Sequence, residues 1–264
     1  MKMPARLLLL LICSFFTQVC ISAQVLHKPI PDKLVVLTFD DAVKSHYSYV
    51  APLLKKYGFD ATFFVCEFQP DFADTSKYMT WAQMQELSKW GFEIGNHTWH
   101  HKHVNKINKQ GLISELEYID QKCDSLRIEK PVSFAYPGYD TYAPAVETLQ
   151  QQGILLARTG GDRVYNPQKD NPYFIPGFTV LDTNKDLITG ALKQAKDGNI
   201  VILTFHGIPD TAHDWVTTSP TLFEEYLAIL VQQHYKVISM KGLLQYINID
   251  EARKIPFPSP EKNK

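Results

Sequence analysis

The chain has 264 residues, 45% of them hydrophobic and 21% charged, a composition that excludes a disordered or fibrous protein. Its 27 Lys and Arg against 28 Asp and Glu leave a formal charge of −1, so no basic excess exists to hold nucleic acid. The length admits one large domain or two small ones, with a sizeable core in either case.

At the N-terminus, Lys2 and Arg6 precede an apolar run from Leu7 to Phe16, and Cys20-Ile21-Ser22-Ala23 follows a polar step. This pattern predicts a signal peptide over 1–23, cleaved after Ala23, with an uncleaved N-terminal anchor as the alternative. The run is shorter than the about 20 apolar residues of a spanning helix. Val19 is too bulky for a lipoprotein site at Cys20. No later segment is long and apolar enough to cross a bilayer, so no stable membrane span is expected after cleavage. Cys66 and Cys123 then remain, enough for one disulfide at most, and neither lies in a CxxC. The sequence leaves their pairing and the oligomeric state open.

Along the mature chain, β-branched and aromatic runs alternate with apolar residues at helical spacing. Strands are expected at 33–39, 61–65, 92–95, 132–136, 154–157, 200–205 and 236–239. Helices are expected at 48–57, 81–90, 108–126, 143–152, 186–197, 220–234 and 240–247, with Thr80 capping the second. The stretch 159–183 reads as irregular. A domain over 24–254 is followed by a Pro- and Lys-rich tail, 255–264, expected to be disordered. Strand–helix alternation predicts a parallel α/β sheet, open or closed into a barrel.

In such folds, functional groups gather at the C-terminal ends of strands. Three polar clusters stand there: Asp40-Asp41, His97-Thr98-Trp99-His100-His101, and His206-Gly207. Four of the nine histidines fall between His97 and His103. On a helical turn, His97 and His101 would share a face and an ion, with Asp41 as an oxygen ligand. His97 with His100 is the rival pair. Two imidazoles and a carboxylate suit a catalytic Zn²⁺, Co²⁺ or Fe²⁺ that acidifies water. Asp40 is then the candidate general base and His206 the general acid. Taken singly, each has a bland counterpart: a helix cap, a solvated histidine tract, a core histidine.

Thr38-Phe39-Asp40-Asp41, His97-Thr98-x-x-His101 and Leu203-Thr204-Phe205-His206 resemble, in order and spacing, the motifs of polysaccharide deacetylases with a NodB homology domain (carbohydrate esterase family four). The resemblance covers about 35–246. It implies a distorted (β/α) barrel that hydrolyses N-acetyl groups of chitin oligomers or peptidoglycan, or O-acetyl groups of xylan. It further implies Asp40 as base, Asp41, His97 and His101 as metal ligands, and His206 as acid. The family's third motif carries an arginine that holds the base. Here Ala135-Tyr136-Pro137-Gly138-Tyr139 has alanine at that position, and Arg158 is the candidate replacement, against a surface or cap role. The family's oxyanion N–H, just after the motif proline, maps to Gly138. Of the fourth motif, which orients the acid, Asp182 lies in the corresponding region without the motif's tryptophan. Trp215 and Trp99 are sugar-stacking candidates or plain core aromatics, and the loop 208–219 is where substrate choice is expected.

The reading is an exported (periplasmic or extracellular), metal-dependent carbohydrate deacetylase, zinc first among the metals, acting on an acetylated oligo- or polysaccharide. Its alternatives are an O-acetyl esterase on xylan, a catalytically inactive glycan-binding barrel, and an amidase of a small nitrogenous compound.

Overall fold

The computed structural model describes residues 24–258. The expected signal peptide, 1–23, and the last six residues of the expected tail lie outside them. Within the rest of that tail, Ile255 accepts a hydrogen bond from Asn171 Nδ2 and Phe257 packs on Phe174.

Eight strands form one sheet: β1 Leu34–Phe39, β2 Thr62–Val65, β3 Glu93–Asn96, β4 Ser133–Ala135, β5 Leu156–Arg158, β6 Phe178–Thr179, β7 Val201–Phe205 and β8 Lys236–Ile238. Their order is β5-β4-β3-β2-β1-β7-β6, with β8 beside the first half of β1, and every pairing is parallel. The sheet curls, and Ile175, just before β6, bridges back to Arg158 of β5. The result is the distorted barrel that the resemblance implies. Helices α1 Ala51–Tyr57, α2 Trp81–Lys89, α3 Lys109–Ser125, α4 Ala145–Gln151, α5 Lys185–Leu192, α6 Pro220–Gln232 and α7 Ile249–Ala252 complete it. No helix among the described residues is long and apolar enough to cross a membrane.

Several boundaries follow directly from local chemistry. Thr80 caps α2 in a reciprocal box with Gln83, and Gly58 ends α1 with a φ of 68°. The stretch expected to be irregular contains β6, whose two residues are too few to give a periodic signal.

The period of two in each strand sets what faces the lumen. Val35, Leu37 and Phe39 pack outward with Leu54, Phe223 and Leu227, while Leu34 and Val36 pack inward with Ile200, Ile202 and Leu156. The inward ladder of β1 therefore continues through Thr38 to Asp40. That of β7 runs Ile200, Ile202, Thr204, His206. Thr38 Oγ1 donates to the Leu203 carbonyl and lies 3.3 Å from Thr204 Oγ1, tying the two ladders together. The lumen is thus apolar toward the strand starts and polar at the rim where the strands end.

Candidate active site

Asp40 and Asp41 leave the end of β1. Asp40 is buried, and its Oδ2 accepts from Arg158 Nη2 at 2.5 Å. Arg158 is the inward residue that ends β5 and is wholly buried, so its planar fork reaches across the lumen to the base candidate. Asp40 Oδ1 is buried with no partner, which leaves one acceptor free.

Asp41 turns the other way, with φ at 75°. Its Oδ1 lies 3.4 Å from both His97 Nε2 and His101 Nε2. The three ligand atoms lie within 4.8 Å of one another. His97 Nδ1 donates to the Ala135 carbonyl at 2.8 Å, which aims Nε2 at Asp41. Ala135, where the third motif would carry arginine, thus serves the site through its backbone. Asp41 Oδ1 is buried and lacks a hydrogen-bond donor. An orphaned carboxylate oxygen facing two imidazole nitrogens is a donor set that a divalent first-row cation satisfies.

Burial pushes the Asp41 carboxyl up, but His97 and the charges of His206 and His101 outweigh it and hold it well below the ordinary range. Burial and the neighbouring His97 push His101 down to about 4, which keeps its nitrogen available as a ligand. His97 is raised: burial opposes it, yet Asp41 and Asp40 prevail.

The helical turn expected for His97–His101 is not formed. Thr98 and His101 have φ of 58° and 54°, and the segment is a loop after β3. Two buried carboxylates hold it there. Glu67 N–H donates to the Trp99 carbonyl at 2.6 Å, and Glu67 Oε2 accepts from Trp99 Nε1. Glu115 of α3 accepts from His100 N–H at 2.7 Å and contacts His100 Nδ1 at 2.9 Å. Residues forced into the left-handed region cost on the order of 1–3 kcal/mol each, and such strain concentrates at functional sites. His100 is turned to Glu115, so the rival His97–His100 pair does not form. Trp99 stacks on Tyr118 at 3.8 Å and lies in the packing around Glu67.

His206 places Nε2 4.0 Å from Asp41 Oδ2, while its Nδ1 is buried without a partner. Its carbonyl accepts from His46 Nε2 at 2.9 Å, and burial pushes His46 down to about 4. Asp182 does not orient His206: it accepts from Ser219 N–H at 2.7 Å near the start of α6. Gly138 has φ of 61°, and a Cβ there would meet the His103 ring at 2.3 Å. Tyr139 packs against the Arg158 guanidinium at 5.5 Å. Cys66 and Cys123 are buried free thiols.

The structure also brings in residues that sequence reasoning passed over. His213 Nδ1 lies 3.6 Å from both Asp41 Oδ2 and Asp210 Oδ2, and its Nε2 is 3.2 Å from the Tyr78 hydroxyl. Burial opposes protonation of His213, but Asp210 and Asp41 raise its pKa. His213 stands eight residues beyond the end of β7, where no motif spacing points to it. Its one signal is membership of the loop 208–219.

Comparison with known proteins locates this arrangement. Residues 27–157 match the family model described as polysaccharide deacetylase. The match includes Asp40, Asp41, His97, His101 and Gly138 and stops one residue before Arg158. The chain is 26% identical over 220 residues to a peptidoglycan-N-acetylglucosamine deacetylase of Bacillus cereus, covering 83% of this chain and 91% of that one. Among solved structures, the CE4 domain of a multidomain xylanase from the hindgut metagenome of Trinervitermes trinervoides superposes with a TM-score of 0.56 at 22% identity, over 81% of this chain and 91% of that one. A CE4 family pseudoenzyme from Bacillus anthracis superposes at 0.57 and 17% identity, over 81% of this chain and 66% of that one. These two likenesses are of fold.

Proposed function

Because the chain belongs to the polysaccharide deacetylase family, we propose that it is an exported, metal-dependent hydrolase that removes N-acetyl groups from an acetylated glycan of the chitin or peptidoglycan type. The observation that carries this reading is the convergence of Asp41, His97 and His101 beside an arginine-held Asp40. Asp41, His97 and His101 would hold the ion, with zinc the first choice for two nitrogens and one oxygen. When bound, the ion supplies Lewis acidity toward water and the acyl oxygen.

The chain's own groups do the rest. Asp40 takes the proton of the attacking water on Oδ1, its unpartnered oxygen. Arg158 holds Oδ2, which fixes the carboxylate and leaves Oδ1 for the water. The Gly138 N–H donates to the acyl oxygen as negative charge develops there. His206 gives a proton to the departing nitrogen as the C–N bond breaks, leaving acetate and a free amine. The 1–23 leader is the sequence feature that supports export.

Acetate release from chito-oligosaccharides, peptidoglycan and acetylxylan, with and without chelator, tests the reading. We expect release from an N-acetylated substrate that chelator stops and added Zn²⁺ restores. Release from acetylxylan alone would make the protein an O-acetyl esterase. Glycan binding without release by the metal-loaded protein would make it an inactive barrel.

A further inference from the structure

The loop after His206 is built to point two rings in opposite directions. Asp210, itself buried, accepts the N–H groups of Gly207, Ala212 and His213 at 2.9, 2.9 and 2.6 Å. Its own N–H donates to Thr217 Oγ1 at 2.9 Å, and Ile208 N–H donates to Ser45 Oγ at 2.8 Å. Thr218 N–H returns to the Gly207 carbonyl. The loop is therefore pinned at both feet and across its centre. From it His213 projects inward to Asp41, as described above. Two residues on, in the short turn Asp214–Val216, Trp215 projects outward.

Trp215 is 72% exposed, whereas the other exposed large apolar side chains lie at 39–46%. Its ring meets His213 edge to face, with centroids 5.5 Å apart and planes at 62°. One imidazole thus separates the indole from the carboxylate of the candidate metal site. An isolated exposed apolar residue needs no explanation. This one differs because a hydrogen-bonded loop fixes it at the rim and His213 meets it at a steep angle instead of stacking on it, so most of the ring stays open to solvent. The open indole face is flat, apolar and electron-rich. A pyranose offers the matching surface, a flat face of weakly positive C–H groups.

Resting on the deacetylase reading, we propose that Trp215 is the stacking platform for a second pyranose of the substrate, next to the one whose acetyl group reaches Asp40. Its occupant is an uncharged sugar ring of the glycan chain. The protein accordingly prefers oligomers and polymers over single acetylated sugars, and the 207–217 loop sets that preference.

The test measures acetate release by the metal-loaded protein on chito-oligosaccharides of one to five units and on acetylated xylo-oligosaccharides of matched length. Trp215→Ala, Trp215→Phe and, as a control at the far end of α1, Tyr57→Ala are compared with the wild type. Calorimetric binding of the same oligomers is measured in parallel. We expect kcat/KM to rise with chain length in the wild type. Trp215→Ala should lose about tenfold on the longest oligomer, the size of one aromatic contact, with the loss in KM. It should change little on the single sugar, and Trp215→Phe should recover most of the loss. An equal loss at every length, or a loss confined to kcat, would show that Trp215 only props His213 and would overturn the platform. So would unchanged kinetics and binding. Trp215-dependent oligomer binding without acetate release would retain the platform while removing the deacetylase reading.

Discussion

At the rim of the barrel, the Asp41 carboxylate lies among His97, His101, His206 and His213. At the opposite end, the Glu93 carboxylate lies against Thr62 Oγ1 at 2.6 Å and the Lys241 N–H at 2.7 Å, beside a cavity of about 560 Å³. Burial acts on both in the same sense, pushing the carboxyl up. At Asp41 the imidazoles reverse the effect. At Glu93 the donors are neutral, they offset burial only in part, and the pKa stays raised. The balance between burial and the partners aimed at a carboxylate decides its ionisation: the partners win at Asp41 and lose at Glu93. Of the two carboxylates, the one at the rim is the one that faces imidazole nitrogens.

The largest expected effect comes from removing the proton acceptor at the rim. Asp40→Asn should lower turnover by about 10²–10⁴-fold, the span of general base catalysis, while metal content per chain stays near that of the wild type. Acetate release and elemental analysis check the two halves. Retained turnover would take Asp40 out of the mechanism.

Next is the partner that distinguishes Asp40 from Glu93. Arg158→Met leaves Asp40 as an unpaired buried charge and should cost about 3–5 kcal/mol of stability, read by urea denaturation. Adding Asp40→Asn to that variant should recover part of the loss, because the stranded charge is gone. If the double variant is no more stable than Arg158→Met, the ion pair is not the source of the cost.

The smallest effect tests the opposite end of the barrel, at Glu93. A raised pKa means that folded Glu93 keeps its proton above the ordinary value of 4.5 while the unfolded chain has released it. The native state then binds more protons, so stability falls as pH rises from about 4.5 and levels off above the folded pKa. Glu93→Gln should remove that decline and change stability by less than about 1 kcal/mol near pH 5. Denaturation series at pH 5 and pH 8 measure it. A steeper decline in the variant would contradict the sign.

The parts of this protein that were legible beforehand are those written locally. The runs 33–39 and 200–205 announce β1 and β7 because buried parallel strands are nearly all apolar, and the polar pairs after them mark the rim. Arg158 was legible as a candidate because it ends an apolar run. Its ion pair with Asp40 joins residues 118 apart in the chain. What local pattern cannot carry is conformation imposed from afar. The 97–101 segment has helical spacing, but Glu67 and Glu115 hold it as a loop. Asp182 sits in the expected stretch, and its hydrogen bond to Ser219 N–H takes it to the start of α6. His213 reaches Asp41 only because Asp210 folds its loop inward.

The inward ladders Leu34, Val36, Thr38, Asp40 and Ile200, Ile202, Thr204, His206 constrain how the gene can change. Replacing one of their apolar members alters packing at one position. Deleting or adding a single codon within β1 or β7 exchanges the two faces from that point on. Phe39 would then occupy the lumen and Asp40 would press into the apolar layer under the helices. Lineages that keep this chemistry should therefore tolerate apolar exchanges of similar size in these two strands more readily than any change in their length.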